Sequence, residues 1–266
     1  MLELRSPTGG PGLVLFCNAG DPPLELLPEL LRTMDDAGVA CVELAVPFPG
    51  SPTDGPVVRA SAERALSRGA GLDAVLATLA RVRPSLRRTR VVLLADWAHS
   101  VRGTALPEFS RRVRDAGADA LLLHGLPPVL RGEHLDSAAS TGLPVVTTCY
   151  HGTSPAATIR GAAEEATAYV YLVASWGRSG TPPRDGWNGI AGTVQELRSH
   201  APVPVAVGFG VRTAADVATL ASCGADAAVV GSACVAALDA GARRGAPVQA
   251  LTDLLGDLAA PVAAPA

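Results

Sequence analysis

The 266-residue chain contains no lysine; all 22 of its basic residues are arginine. No side chain can therefore form a Schiff base with a carbonyl substrate, which excludes lysine-iminium chemistry. Cysteine is sparse and scattered. Cys17, Cys41, Cys149, Cys223 and Cys234 show no CxxC spacing, and three of them sit in apolar runs where a free thiol behaves as a small hydrophobe. That usage fits a reduced, cytoplasmic setting. No stretch approaches the ~20 apolar residues of a membrane span. Residues 1–12 carry Glu3 and Arg5 among Pro and Gly, without the apolar run of a secretory signal. No membrane partner is expected. The net charge of −3 and the lack of a basic arm argue against nucleic acid as a partner. His99, His134, His151 and His200 share no metal-ligand spacing, so no metal site is expected.

What is present is a globular composition, 48% hydrophobic and 18% charged, with 28 Gly and 22 Pro. Eight short apolar runs, at 13–18, 41–46, 91–95, 120–124, 145–149, 169–173, 205–208 and 227–231, alternate with segments of helical spacing such as 24–37 and 213–223. Helix signals agree. Asp21-Pro22 reads as the opening of the first helix, and Thr213 with Asp216 three residues on reads as a capping box. Asp36-Ala37-Gly38, Asp115-Ala116-Gly117 and Ser222-Cys223-Gly224 each place a Gly where a helix should stop. Runs apolar at every position indicate strands buried on both faces, hence a parallel sheet. Eight βα units in this length suggest a single (β/α)8 TIM barrel, an α/β fold; an open doubly wound sheet, more often of five to seven strands, is the alternative. The barrel is assigned to residues 1–258, and 259–266 read as an Ala/Pro-rich tail.

In such a barrel the chemistry belongs at the carboxyl ends of the strands and on the loops that follow. Glu43, in the second run, stands among apolar neighbours and by alternation faces the barrel interior. Burial would raise its pKa and make it a proton donor near neutrality, unless backbone amides or an Arg satisfy it. Asp54 follows in a Pro/Gly-rich loop, where it is either a second functional carboxylate or a turn former. Gly208-Phe209-Gly210 after the seventh run, and Gly231-Ser232 after the eighth, form a phosphate site in the usual place for this architecture. A phosphomonoester substrate follows. The long polar loop at 175–186 reads as a lid or as a surface excursion.

These segments together resemble the tryptophan synthase alpha chain family, lyases that cleave indole-3-glycerol phosphate to indole and glyceraldehyde 3-phosphate. The resemblance runs in order over roughly 13–238. Its anchors are Phe16-Cys17-Asn18-Ala19-Gly20-Asp21-Pro22, Val42-Glu43-Leu44-Ala45-Val46-Pro47-Phe48, Thr53-Asp54-Gly55-Pro56, Leu126-Pro127-Pro128, Tyr169-Val170-Tyr171-Leu172, Pro204-Val205-Ala206-Val207-Gly208-Phe209-Gly210 and Val229-Val230-Gly231-Ser232. It implies that Glu43 is the general acid/base, that Asp54 stabilises charge at the indole nitrogen, and that Tyr171 is the Tyr beside that Glu. It places Gly180, Phe209, Gly210, Gly231 and Ser232 at the substrate phosphate. Phe16 and Leu94, with Asp96 and Trp97 from the turn after the third strand, fall on the indole pocket, and Gly177, Arg178 and Ser179 on the lid. No cofactor is implied, because the protonated indole ring is itself the electron sink and two carboxylates suffice.

Departures from the family pattern are local. The usual Gly-Tyr-Tyr-Asn-Pro after the third strand is replaced by Ala95-Asp96-Trp97-Ala98-His99, and the usual Pro-Asp after the fourth by His124-Gly125. Asp96 and His124 then stand at the ends of neighbouring strands, either as an extra acid/base pair or as a repacked wall. The lid reads Ala174-Ser175-Trp176-Gly177-Arg178-Ser179-Gly180, one Arg fewer than usual. Pro49-Gly50-Ser51-Pro52-Thr53 replaces the loop through which the family contacts a tryptophan synthase beta-type chain, which points to a free-standing enzyme. Two other readings stand beside the lyase: an enzyme acting on a different phosphorylated substrate, and a weakly active paralogue that regulates a beta-type partner.

Overall fold

The structure, a computed structural model, describes residues 1–6, 9–175, 177, 179–180 and 186–259. The alternation expected from the sequence is realised as β1 (Gly12–Asn18), α1 (Leu27–Asp36), β2 (Cys41–Ala45), α2 (Pro56–Ser67), α3 (Leu72–Val82), β3 (Arg90–Asp96), α4 (Leu106–Asp115), β4 (Ala120–His124), α5 (Arg131–Thr141), β5 (Thr147–Tyr150), α6 (Ala156–Glu165), β6 (Val170–Val173), α7 (Ile190–His200), β7 (Val205–Gly208), α8 (Ala214–Ser222), β8 (Ala227–Val230), α9 (Ser232–Arg243) and α10 (Pro247–Ala259). All strand pairs are parallel and run in the order β4-β3-β2-β1-β8-β7-β6-β5. A single bridge between Leu121 and Val145 joins the two ends, so the sheet is a nearly closed barrel.

Two apolar layers follow from strand alternation. One set of side chains, including Leu15, Leu44, Leu93, Leu121, Leu172 and Val207, packs outward against the helices. The other set faces the axis: Val14, Cys41, Val92, Ala120, Tyr169, Ala206 and Val229, with Leu94 and Tyr171 above them. Leu2 and Leu4 join this inner cluster and plug the amino-terminal end. Gly12 is required there, because a Cβ at residue 12 would lie 1.8 Å from the Leu4 carbonyl oxygen. The inner cluster fills one end of the axis and leaves the carboxyl ends of the strands for a cavity.

Local signals behave as their chemistry dictates, with one exception. The Thr213 hydroxyl accepts from the Asp216 amide and the Asp216 carboxylate accepts from the Thr213 amide, a complete capping box. Gly38, Gly117 and Gly224 adopt positive φ after α1, α4 and α8. The exception is α1, which begins at Leu27 rather than at Asp21-Pro22. Asp21 is buried and accepts instead from Arg64 at 2.6 and 3.0 Å and from Arg68 at 2.8 Å, tying the loop after β1 to α2 and its end. An ion pair supplied from across the loop outcompetes the local capping role. Ala259, assigned to the tail, is the last residue of α10; residues 260–266 lie outside the described residues.

Candidate active site

Glu43 occupies the middle of β2, where strand alternation turns its side chain to the barrel axis, and it is 1% exposed. One hydrogen bond meets it: the Tyr169 hydroxyl donates to Oε1 at 2.7 Å. Burial raises the carboxyl, the phenol partly opposes that by favouring the anion, and the result is a pKa pushed up to about 7. No Arg or backbone amide satisfies the group among the described residues, and a carboxyl so placed can exchange a proton near neutrality. The hydrogen bond comes from Tyr169, while Tyr171, the tyrosine the resemblance sets beside Glu43, feels the charge of that carboxyl. Tyr169, the residue before β6, and Tyr171 within it are two positions apart and turn to the same side. Tyr169 sits deeper, in the inner cluster beside Glu43, whereas Tyr171 faces the cavity and feels the charge of both Glu43 and Asp54. Gly208 makes room for it, since a Cβ there would lie 2.6 Å from the Tyr171 hydroxyl.

A cavity opens over Glu43, lined by Phe16, Asn18, Leu94 and Tyr171 from the strands and by Asp54, Ser179, Gly180, Phe209, Gly210, Gly231 and Ser232 from the loops. Asp54 is half-buried, and loss of water raises its carboxyl. The hydroxyls of Ser51 and Ser179, together with His124 and Arg59, pull in the opposite direction. The loop carrying Asp54 and the segment after β6 are locked together. The Ser179 amide donates to the Thr53 carbonyl at 3.0 Å, and the Gly55 amide donates to the Ser179 hydroxyl at 2.9 Å. A Cβ on residue 55 would meet the Ser179 carbonyl oxygen at 2.1 Å, so glycine is needed for this approach. Gly177 does not line the cavity, and Arg178 lies outside the described residues.

The glycine-rich strand ends meet across the rim from Asp54. Phe209 and Gly210 have φ of 78° and 97°, a left-handed pair in which a non-glycine residue is uncommon and costs energy. Gly231 precedes the first residue of α9, so the unpaired amides at the start of that helix open towards the cavity. Gly180 brings the segment after β6 to the same place; a Cβ there would lie 3.1 Å from the Ser232 hydroxyl. Unpaired amides, a helix amino terminus and a hydroxyl form a cradle suited to an anion.

On the opposite side of the barrel the cavity wall differs from the expectation. Asp96 and Trp97 do not line it. Asp96 is buried, and its Oδ1 accepts from the His99 amide at 3.1 Å, capping a π-helical turn at Trp97–Val101, while its carboxylate also meets the ring nitrogens Nδ1 of His99 at 2.6 Å and of His124 at 3.1 Å. Those bonds hold its carboxylate below its usual pKa despite burial. The same turn carries Trp97 outward, against the helix-facing core. His124 lines the cavity instead, stacked with His99 on the ring of Phe48 at centroid distances of 5.9 and 5.4 Å. The expected pairing of Asp96 with His124 is therefore present, with Asp96 behind the wall and His124 in it.

Sequence reasoning missed Tyr169, Asn18 and Thr148. Tyr169 precedes the strand by one residue, and only the period of two linking it to Tyr171 could have revealed it. Asn18 ends β1, donates to the Val58 carbonyl at 3.1 Å and faces the cavity.

A sequence profile of the tryptophan synthase alpha chain matches residues 4–260. The tryptophan synthase alpha chain of Gloeobacter violaceus is 38% identical over 83% of this chain and 78% of its own length. That of Burkholderia pseudomallei is 34% identical over 94% and 90%. Among solved structures, a mutant tryptophan synthase alpha-subunit from Pyrococcus furiosus superposes with a TM-score of 0.83 at 25% identity, covering 97% of this chain and 99% of its own. The tryptophan synthase α2β2 complex of the same organism, solved for the basis of its mutual activation, gives 0.82 at 25% identity, over 97% and 99%. With the profile and the curated relatives spanning most of its length, this chain belongs to the tryptophan synthase alpha chain family.

Proposed function

We propose that the chain cleaves indole-3-glycerol phosphate to indole and glyceraldehyde 3-phosphate, with Glu43 as acid/base and Asp54 as the carboxylate facing the indole nitrogen. The observation that carries this reading is the buried Glu43, its carboxyl pushed up to about 7 by loss of water, at the floor of a cavity whose opposite rim is an anion cradle. In its protonated form Glu43 delivers a proton to the ring carbon that bears the side chain. The ring becomes a cationic iminium, and its positive nitrogen is stabilised by the anionic Asp54. The carboxylate left on Glu43 then accepts the proton of the side-chain hydroxyl. As the aldehyde forms, the carbon–carbon bond breaks, and its electron pair returns to the ring to restore aromatic indole. Because the ring holds the electrons, the absence of lysine is no obstacle.

Phe209, Gly210, Gly231, Ser232 and Gly180 would bind the phosphate through amides and the Ser232 hydroxyl, and Phe16 and Leu94 would flank the indole. Tyr171, between the two carboxylates, would keep the reacting region dry. Glu43→Gln should lower indole release from indole-3-glycerol phosphate by at least about a thousandfold, within the range for loss of a general acid. Retention of a tenth of the wild-type rate would refute the assignment.

Members of the family such as that of P. furiosus assemble as α2β2 complexes. In this chain the segment 49–53 departs from the family's contact loop, and we infer an enzyme that turns over without a partner, in the cytoplasm. Titration of a tryptophan synthase beta chain into the purified protein should then leave the lyase rate within about twofold. A rise of tenfold or more would show a conventional subunit. The readings as a different lyase or a weakened regulator are not favoured, since Glu43 and Asp54 are both retained and both face the cavity.

A further inference from the structure

The cavity has two ends, fixed by the order of strands around the barrel. The anion cradle belongs to β7 and β8, and β4 lies diametrically across from β8. A substrate with its phosphate on the cradle and its reacting carbon over Glu43, in β2, must send the benzene edge of its ring towards β3, β4 and β5. Leu94, Leu122 and Phe48 make that end apolar, as an aromatic ring requires. Three polar side chains interrupt it: His124 at the end of β4, and Thr148 and Tyr150 on β5.

His124 is held in one orientation. Its Nδ1 lies 3.1 Å from Asp96 Oδ2, across directly paired positions of β3 and β4, and Phe48 stacks on its ring. An ionised carboxylate only accepts, so Nδ1 carries a hydrogen, and in the neutral ring Nε2 is then an acceptor. No hydrogen-bond partner meets Nε2 among the described residues. An unsubstituted benzene edge packed against that corner would bury the lone pair without a donor, an arrangement that disfavours binding. A hydroxyl on the ring would supply the donor.

Resting on the lyase reading above, we propose that the preferred substrate is an indole-3-glycerol phosphate hydroxylated on its benzene ring, with His124 as the residue that recognises the hydroxyl and Asp96 as the residue that positions His124. A site that hydrogen-bonds a substrate hydroxyl rejects the analogue lacking it far more strongly than an apolar pocket rejects an added group. The test compares kcat/KM for indole-3-glycerol phosphate and for its four benzene-ring hydroxy isomers, with calorimetric binding of the corresponding hydroxyindoles. At least one isomer should exceed the unsubstituted compound by about tenfold or more. His124→Phe keeps a ring against Phe48 and removes the acceptor, so the ratio should collapse to about one. His124→Gln, which keeps an acceptor, should preserve part of it, and Asp96→Asn should lower it without abolishing it. A wild-type protein that releases indole with no preference for any isomer, or a preference that survives in His124→Phe, overturns this inference and leaves the lyase reading standing. A wild-type protein that cleaves none of the five compounds overturns both.

Discussion

At Glu43 two neighbours act against each other. The barrel interior withholds water and pushes the carboxyl up, while the Tyr169 hydroxyl stabilises the anion and pulls it back, and the balance falls at about 7. Removing only the pull gives a prediction. Tyr169→Phe leaves Glu43 buried with no donor, so its pKa rises, and the pH above which kcat/KM falls must move upward. A shift to lower pH, or none, would mean that the phenol does not set the proton affinity of Glu43. The sequence shows a carboxylate in an apolar strand, which is enough to expect a raised pKa. It does not show which tyrosine donates, because Tyr169 and Tyr171 share one face and only the depth along the barrel axis separates them.

Among the elements, the contact between the loop after β2 and the segment after β6 has the narrowest tolerance. Ser179 bonds the backbone of Thr53 and Gly55, and Gly55 leaves no room for even a methyl group. Gly55 has φ of −75°, which alanine adopts freely, so Gly55→Ala should fold normally yet push Ser179 away from Asp54. Displacements near 1 Å at such sites cost about a hundredfold in rate, and kcat/KM should fall by that order with little change in melting temperature. An unchanged kcat/KM would show that the closed contact does not matter to turnover. Nothing in the sequence pairs residues 55 and 179, which are 124 positions apart. What is legible is each glycine-rich segment separately, and the strand order that brings them to one rim. The turn after β3 illustrates the opposite failure. The resemblance puts Asp96 at the indole pocket, but its carboxylate is taken up by the His99 amide and by two imidazoles, and the turn that follows carries Trp97 outward.

For the whole molecule, apolar runs separated by amphipathic segments specify a parallel sheet, because only a sheet covered on both faces buries strands apolar at every position, and the number of runs, eight, favours the barrel over an open sheet. Closure between β4 and β5 rests on one bridge and could not be read from the chain. The barrel's consequence is chemical: it places one carboxyl at 1% exposure beneath a cavity whose rim can hold a phosphate. The decisive measurement is the pH dependence of kcat/KM for indole release from indole-3-glycerol phosphate by the isolated chain. A protonated Glu43 must deliver the proton, so kcat/KM should fall about tenfold per pH unit above a midpoint near 7. A profile that stays flat through neutrality, or that falls already near the ordinary glutamate value of 4.5, would contradict the account.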